Sequence, residues 1–406
     1  MLTGRDIIYI STIEWNFIWQ QNQEIALRLA RAGNRVLYVE NTGARPPGIG
    51  DAARIISRLK RWATALISHG LREVAPNVYV CSPLVLPPFG SRIQQAINRR
   101  LLLPVIRRSA RRLGMRNLLL WTYLPTDTAV GLIRLMRTRT SPIVYYCLTD
   151  FPQLSSDPGS MRESEESLVR MSDVVFTSCS QLAERLMPFT DNIHIFPMGV
   201  DLGAFDNPGG EPPSDAAERA GSLPRPIIGY VGGLHKHVDF DLLAQMADAR
   251  PDWSWVFVGP FQASVEKLQQ HPNIHLLGPK PHQELSGFLR GFDVCIVPYV
   301  KSGYTETVVP VKLNEYLAAG KAIVSTDIPT VTEFNKLHNI LVTADNTRDQ
   351  FLEGIEKALR LPKDAAAVAR RRQIAALADW NVIVETMSKL IEAKPGQTSG
   401  RQSTRR

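Results

Sequence analysis

The chain has 406 residues, more than one compact core normally holds, so two domains are the natural expectation. Apolar residues make up 44% and charged residues 21%, which excludes a disordered or fibrous chain and fits a soluble globular enzyme. The net charge of +8 is concentrated rather than spread: Arg92, Arg99, Arg100, Arg107, Arg108, Arg111, Arg112 and Arg116 share one stretch with no acidic residue, and three arginines fall in the last six positions. A clustered positive field attracts phosphates, whether of nucleic acid or of anionic lipid headgroups.

The apolar stretches are short and broken by Arg, Asp or Pro, so no membrane-spanning helix is predicted. The start, Met1 to Asp6, runs straight into strand-like Ile7–Ile10 without the basic region, long apolar stretch and cleavage site of a signal peptide, so a cytoplasmic location is expected. Cys81, Cys147, Cys179 and Cys295 stand singly, with neither metal-ligand spacing nor disulfide density, and read as small buried hydrophobes.

In chain order, Ile7–Ile10 predicts a strand, Gln21–Arg31 a helix stopped by Gly33, and Val36–Val39 the next strand. Residues 43–70 are Gly/Pro-rich and then basic, and predict a loop or an irregular helix. Strands follow at Val78–Val80, Asn117–Trp121, Ile143–Cys147, Val174–Thr177 and Ile193–Phe196. Alternation of this kind implies a parallel sheet covered on both faces.

The boundaries are expected at 1–200 for a first domain, 201–225 for a linker rich in Gly, Pro, Asp, Glu and Ser, and 226–362 for a second domain. The second series of strands is expected at Ile227–Val231, Trp255–Val258, Ile274–Leu277, Val294–Val297, Ala322–Ser325 and Ile340–Val342, with helices notably over 239–248, 282–290 and 310–319. Residues 363–392 are predicted as C-terminal helices and 393–406 as a disordered tail.

Two signals carry chemistry. The first strand of the second domain ends in Gly229-Tyr-Val-Gly-Gly-Leu-His-Lys-His237, and paired glycines between a strand and a helix let a backbone approach a phosphate. Gly232, Gly233 and Lys236 are therefore candidates, although paired glycines also serve ordinary turns. The other signal is Thr307 to Gly320. Pro310 can open a helix, the first turn favours an anion, and Lys312 adds a charge there. Glu315, three residues on, lies on a neighbouring part of the same face, one turn below, where a carboxylate suits two ribose hydroxyls. A plain surface Lys–Glu pair is the competing reading.

The stretch Pro310-Val-Lys-Leu-Asn-Glu-Tyr-Leu-Ala-Ala-Gly-Lys-Ala-Ile-Val324 closely resembles the donor-site signature of bacterial GT-B glycosyltransferases of family 1/4 type, above all those that build exopolysaccharide, capsule and teichuronic acid. Gly229–Gly233, Val238–Leu242, Pro251–Trp255, Val258–Pro260, Asn273–Gly278 and Phe292–Pro298 look like the same subgroup in the same order. Trp15-Asn-Phe, Tyr145–Asp150 and Pro197–Asp201 do so in the first half. The resemblance covers most of residues 5–390 and is strongest over 227–325.

It implies an α/β protein of GT-B type, two Rossmann-like doubly wound domains facing a central cleft, with the terminal helix around Trp380 crossing back to the first domain. Glu315 would then bind the donor ribose, and Lys312 with the backbone of Pro310, Val311 and Lys312 would meet the diphosphate. Gly232 and Gly233 would admit the sugar phosphate, and the loop after Leu277 would hold the base. The implied partners are a nucleotide sugar and a glycan or polyprenyl-diphosphate-linked acceptor, with no metal or other cofactor.

One departure matters. Retaining members carry a Glu eight positions before the ribose glutamate, and Thr307 stands there, with Glu306 one residue off. An inverting reaction would need a base from the first domain. Asp150 is the first candidate, against a role as helix cap or turn residue, and Glu14 the second. Trp15, Phe17 and Trp19 would either stack on an acceptor or pack in the core. The segment 92–116 reads either as a basic amphipathic surface on a membrane or as an ordinary helix with solvated arginines. A sugar-nucleotide epimerase of the same fold is the nearest rival; a nucleic-acid-binding protein lacks a recognisable module, so no nucleic-acid partner is expected.

Overall fold

The computed structural model describes residues 1–17, 19–40, 71–83, 100, 104–155, 157–205 and 214–393. The expected loop over 43–70, part of the linker, the tail from 394, and most of the basic segment before 104 lie outside these residues. The chain divides into two compact units: Met1–Phe196 together with the chain from Asn381, and Pro197–Trp380.

The first unit is built on β1 (Asp6–Ile10), β2 (Arg35–Val39), β3 (Leu71–Ala75), β4 (Val78–Cys81), β5 (Leu118–Thr122), β6 (Ile143–Cys147), β7 (Val174–Thr177) and β8 (Ile193–Ile195). Their order in the sheet is β3-β4-β2-β1-β5-β6-β7-β8, parallel except for the β3/β4 hairpin. Helices α1 (Gln21–Arg31), α2 (Asp127–Met136), α3 (Phe151–Leu154), α4 (Pro158–Met171) and α5 (Ser180–Leu186) alternate with the strands. Every residue of β1, β6 and β7 is buried, which is why these strands read as unbroken apolar runs rather than as alternation. From β1 the chain works outward through β2, and from β5 it works the other way through β6, so the switch point of this sheet lies between β1 and β5.

The second unit holds β9 (Ile227–Val231), β10 (Ser254–Val258), β11 (Ile274–Leu276), β12 (Val294–Val297), β13 (Ala322–Thr326) and β14 (Val342–Ala344) in the order β11-β10-β9-β12-β13-β14, all parallel. Its helices are α6 (Asp215–Gly221), α7 (Phe240–Ala249), α8 (Glu266–Gln269), α9 (Leu285–Gly291), α10 (Lys312–Ala318), α11 (Pro329–His338), α12 (Arg348–Arg360) and α13 (Ala365–Ala376); α14 (Trp380–Glu392) starts where this unit ends. The switch point lies between β9 and β12. β9 is buried along its whole length, and Gly229 in its middle leaves room for the Phe292 ring: a β-carbon there would stand 1.9 Å from it.

The chain enters and leaves this unit at adjacent points. Val200 N–H donates to the Ala378 carbonyl at 2.9 Å, and Trp380 N–H to the Val200 carbonyl at 3.1 Å. The Trp380 indole lies over Gly199, where a β-carbon would be 2.4 Å from the ring.

Three predicted elements needed correction. The strand β3 went unpredicted because Leu71-Arg-Glu-Val-Ala75 is mostly half-exposed; it exists by pairing with β4 across a turn in which Asn77 takes φ +65°. The last strand runs over Val342–Ala344 rather than Ile340–Val342, because the Ile340 and Leu341 N–H groups donate to Asn335 Oδ1, closing α11 behind left-handed Asn339. Helix α10 starts at Lys312, with Val311 as its cap, so Pro310 precedes the helix instead of opening it. Among the described residues no helix is long and apolar enough to cross a membrane.

Candidate functional site

The site grows from the carboxyl ends of β9, β10 and β11, where three glycines replace side chains with backbone. Gly232 follows β9 at φ +143°, Gly259 follows β10 at φ +149°, and Gly278 follows β11 at φ +67°, conformations that suit glycine. Gly232 N–H donates to the Val258 carbonyl at 2.8 Å and Gly259 N–H to the Gly278 carbonyl at 2.9 Å. A β-carbon on Gly259 would stand 2.0 Å from the Gly232 carbonyl oxygen, so the loops touch backbone to backbone.

The loop after β9 is fastened to the loop after β12, its neighbour across the switch point. Asp239 N–H donates to the Pro298 carbonyl and Val300 N–H to the His237 carbonyl, each at 2.9 Å. The His237 ring stacks on Tyr304 at 4.1 Å, and the His235 ring lies 5.6 Å from Tyr299. Asn346 Nδ2 adds a brace, donating to the Tyr299 carbonyl at 2.7 Å and to Asp239 Oδ2 at 3.1 Å.

Helix α10 is held against this floor at both ends. Tyr316 Oη accepts the Val231 N–H at 2.8 Å, Asn314 Nδ2 donates to the Met198 carbonyl at 2.6 Å, and Arg371 Nη1 donates to the Gly320 carbonyl at 3.1 Å. From its first residue the Lys312 side chain runs back across Gly232. Its Nζ donates to Tyr299 Oη at 3.1 Å and lies 5.0 Å from the Tyr230 ring centroid and 5.6 Å from that of Tyr299. Ammonium groups are attracted to the faces of such rings. Burial works against the charged form of Lys312, but the surrounding phenol oxygens and Glu315 hold its pKa above the ordinary lysine value. Among the described residues it has no carboxylate partner in an ion pair. Glu315, on the same helix and half-buried, makes no side-chain hydrogen bond or ion pair among the described residues.

His235 has a fixed protonation state. The His237 N–H donates to His235 Nδ1 at 3.2 Å, which places the ring proton on Nε2. Burial, then the Lys312 charge and His237, push its pKa down to about 4. The histidine therefore adds no positive charge at neutral pH.

Lys312, Glu315, Gly232 and Gly233 are thus brought together, Pro310 is buried just before the helix, and Val311 is exposed at its cap. Lys236 is exposed and makes no side-chain hydrogen bond or ion pair among the described residues. Glu306 is exposed on the short turn Thr305–Thr307, beside buried Thr307. Sequence reasoning missed Tyr230, Tyr299, His235, Asn314 and Tyr316, which hold Lys312 and its helix. The alternation that marks β9 and β12 as strands gives no sign that the two are neighbours.

In the first unit, Glu14 and Trp15 follow β1 at its switch point. Trp15 is buried against Tyr38, with centroids 5.1 Å apart, and its N–H donates to Glu40 Oε1 at 2.6 Å; Phe17 is exposed. Asp150 follows β6, one strand away from the switch point. It stands at the cap of α3 without a side-chain capping bond; its Oδ2 accepts from Gln153 Nε2 at 3.1 Å and lies 3.9 Å from Arg185 Nε. Arg185 in turn pairs with buried Glu165, which also accepts the Tyr145 hydroxyl at 2.6 Å. The described part of the basic segment, from Pro104 to Arg116, exposes Arg107, Arg108, Arg111, Arg112 and Arg116 while burying Ile106, Ser109 and Ala110. All four cysteines are buried, and none of them forms a disulfide among the described residues. Among the described residues no group of three or more His, Cys, Asp or Glu side chains is placed to hold a metal ion.

Residues 225–360 match the family described as Glycosyl transferases group 1. The Bacillus subtilis protein TuaH, named as a glycosyltransferase of teichuronic acid biosynthesis, is 26% identical over 237 residues, 56% of this chain and 59% of that protein. The D-inositol 3-phosphate glycosyltransferase of Corynebacterium jeikeium is 25% identical over 272 residues, 59% of this chain and 62% of that protein. The matches thus span about three fifths of the length of these relatives. Among solved structures, Anabaena HepE in complex with UDP and glucose superposes with a TM-score of 0.65 at 14% identity, over 96% of this chain and 100% of that one. The chain has the GT-B fold, and residues 225–360 match the model of the group 1 glycosyl transferases.

Proposed function

We propose that the protein transfers a sugar from a nucleotide-diphosphate sugar to a glycan or polyprenyl-diphosphate-linked acceptor in cell-surface polysaccharide synthesis. The observation that carries this reading is Lys312: an ammonium pinned beside bare glycine backbone at a switch point, with no carboxylate ion-pair partner among the described residues. A diphosphate supplies the missing negative charge, and the carboxyl edge of an open parallel sheet is where such ligands bind. Glu315, with no partner of its own, would accept two ribose hydroxyls one turn further along the helix. The family match over residues 225–360 and the names of the relatives support the transferase reading, and TuaH's name supports the polysaccharide role.

In this reading Lys312 stabilises the charge that grows on the departing diphosphate, while Asp150 or Glu14 is the candidate acceptor base and Glu306 a candidate for the sugar side. The sugar-phosphate site needs no metal, because its positive charge comes from Lys312. The exposed arginines between 107 and 116 would rest on anionic headgroups and bring the enzyme to a lipid-linked acceptor on the inner face of the membrane.

Thermal shifts of the purified chain with UDP, GDP, ADP and their sugars test the donor site. A ligand at a hundred times its Kd stabilises by about 2.7 kcal/mol, and Glu315→Ala should abolish that shift. Absence of any shift would sink the donor reading. An acceptor-independent change of the sugar would favour the epimerase instead.

A further inference from the structure

Lys312 and His235 both lie against Tyr299 at the end of β9, and the lysine charge is felt at the imidazole. The two reach this place from different elements: His235 from the β9 loop, Lys312 from the start of α10. Tyr299 joins them, accepting from Lys312 Nζ at 3.1 Å while its ring lies 5.6 Å from that of His235.

The other titratable groups beside the imidazole are His237 on its own loop and Tyr299 on the β12 loop, with Lys236 next to it in the chain. His237 is occupied by its stack on Tyr304 and by its own N–H, which fixes His235 Nδ1 as an acceptor. Among the described residues, His235 Nε2 makes no hydrogen bond. The half-buried imidazole therefore offers one N–H of set position and no charge.

We propose that His235 is a neutral hydrogen-bond donor to the same diphosphate that Lys312 binds as a cation. The inference rests on the donor-site reading and refines it. A preorganised neutral donor beside a fixed cation gives a phosphate oxygen a directional partner that a compact point charge does not supply, and directional partners bias binding toward one arrangement of the phosphates.

The test is titration calorimetry of the full chain with UDP, GDP and ADP, and with the matching free nucleosides. His235→Phe keeps a ring beside Tyr299 but removes the donor, and should weaken the bound diphosphate at least tenfold while leaving the nucleoside unchanged. His235→Gln restores an N–H in about the same place and should recover affinity to within threefold. The ratio of wild-type to His235→Phe affinity should stay constant from pH 5.5 to 8, bracketing the ordinary histidine range. A ratio that climbs as pH falls would show a titrating imidazolium and overturn the neutral donor. Diphosphate binding by wild type that His235→Phe leaves within twofold would overturn the proposal and spare the donor site. No diphosphate binding by wild type would overturn the donor site itself.

Discussion

Lys312 and Gly232 occupy one place between them: a β-carbon at 232 would stand 2.2 Å from Lys312 Cε and 2.7 Å from its Nζ. The glycine in the loop is thus required by a side chain that comes from a helix eighty residues later.

Gly232→Ala should displace Lys312 and strain the loop. Backbone held in such a φ region costs about 1–3 kcal/mol for a residue with a side chain, so the melting temperature should fall modestly. The larger effect should be on nucleotide binding, with the ligand-induced thermal shift lost. A variant that keeps the full shift would refute the coupling between the two residues.

Lys312→Met keeps the stem over Tyr230 and Tyr299 and removes the charge. Because no carboxylate is left unpaired, stability without ligand should change by no more than about 1 kcal/mol, as for volume-conserving swaps. Binding of a nucleoside diphosphate should collapse. Denaturant melts with and without ligand separate the two effects, and a large loss of stability in the free protein would contradict the absence of a structural ion pair.

Tyr316→Phe removes the acceptor of the Val231 N–H in the fully buried β9. An orphaned buried donor costs about 1–3 kcal/mol, so the variant should melt several degrees lower. Nucleotide affinity should also weaken, because α10 loses its anchor to the sheet. Unchanged affinity in the folded variant would show that Arg371 and Asn314 suffice to position the helix.

His235 gives the protein a pH signature. Its folded pKa is about 4, against roughly 6.5 in an unfolded chain. Between these values the unfolded state binds a proton that the native state refuses. Stability from this group is therefore complete above about pH 6.5 and is lost as pH falls toward 4, with a slope of at most about 1.4 kcal/mol per pH unit. The half-exposed ring should give less than that ceiling. Urea melts across pH 4 to 7 should show wild type losing stability relative to His235→Gln toward the acid end, and parallel curves would refute a buried neutral imidazole.

Much of this architecture is legible in the sequence. The fully buried strands β1, β6, β7, β9 and β12 announce themselves as apolar runs, and Lys312 and Glu315 stand out by spacing. Their surroundings are not legible, because Tyr230 and Tyr299 meet only through the placement of β12 beside β9. Strand order is a property of the whole sheet. The same limit hid β3, whose residues are unremarkable until β4 pairs with them, and misplaced β14, where one asparagine side chain took the N–H groups that the ladder would have used. For Lys312 and Glu315, the i, i+3 relation predicted a shared face but held no sign of the aromatic rings behind Gly232 that hold the ammonium.

The junction of Val200 with Ala378 and Trp380 has a consequence for biosynthesis. The second unit is a continuous insertion, with its two ends clasped together, whereas the first unit is interrupted and takes back the chain only from Asn381. On a ribosome, the inserted unit has its whole sequence before the first unit receives its last helix. Domains generally fold as units during synthesis, so the apolar patch that Ile383, Val384 and Met387 will cover stays open until the whole inserted unit has been made. Loss of those few late residues would leave the earlier-made unit unfinished and the later-made one intact.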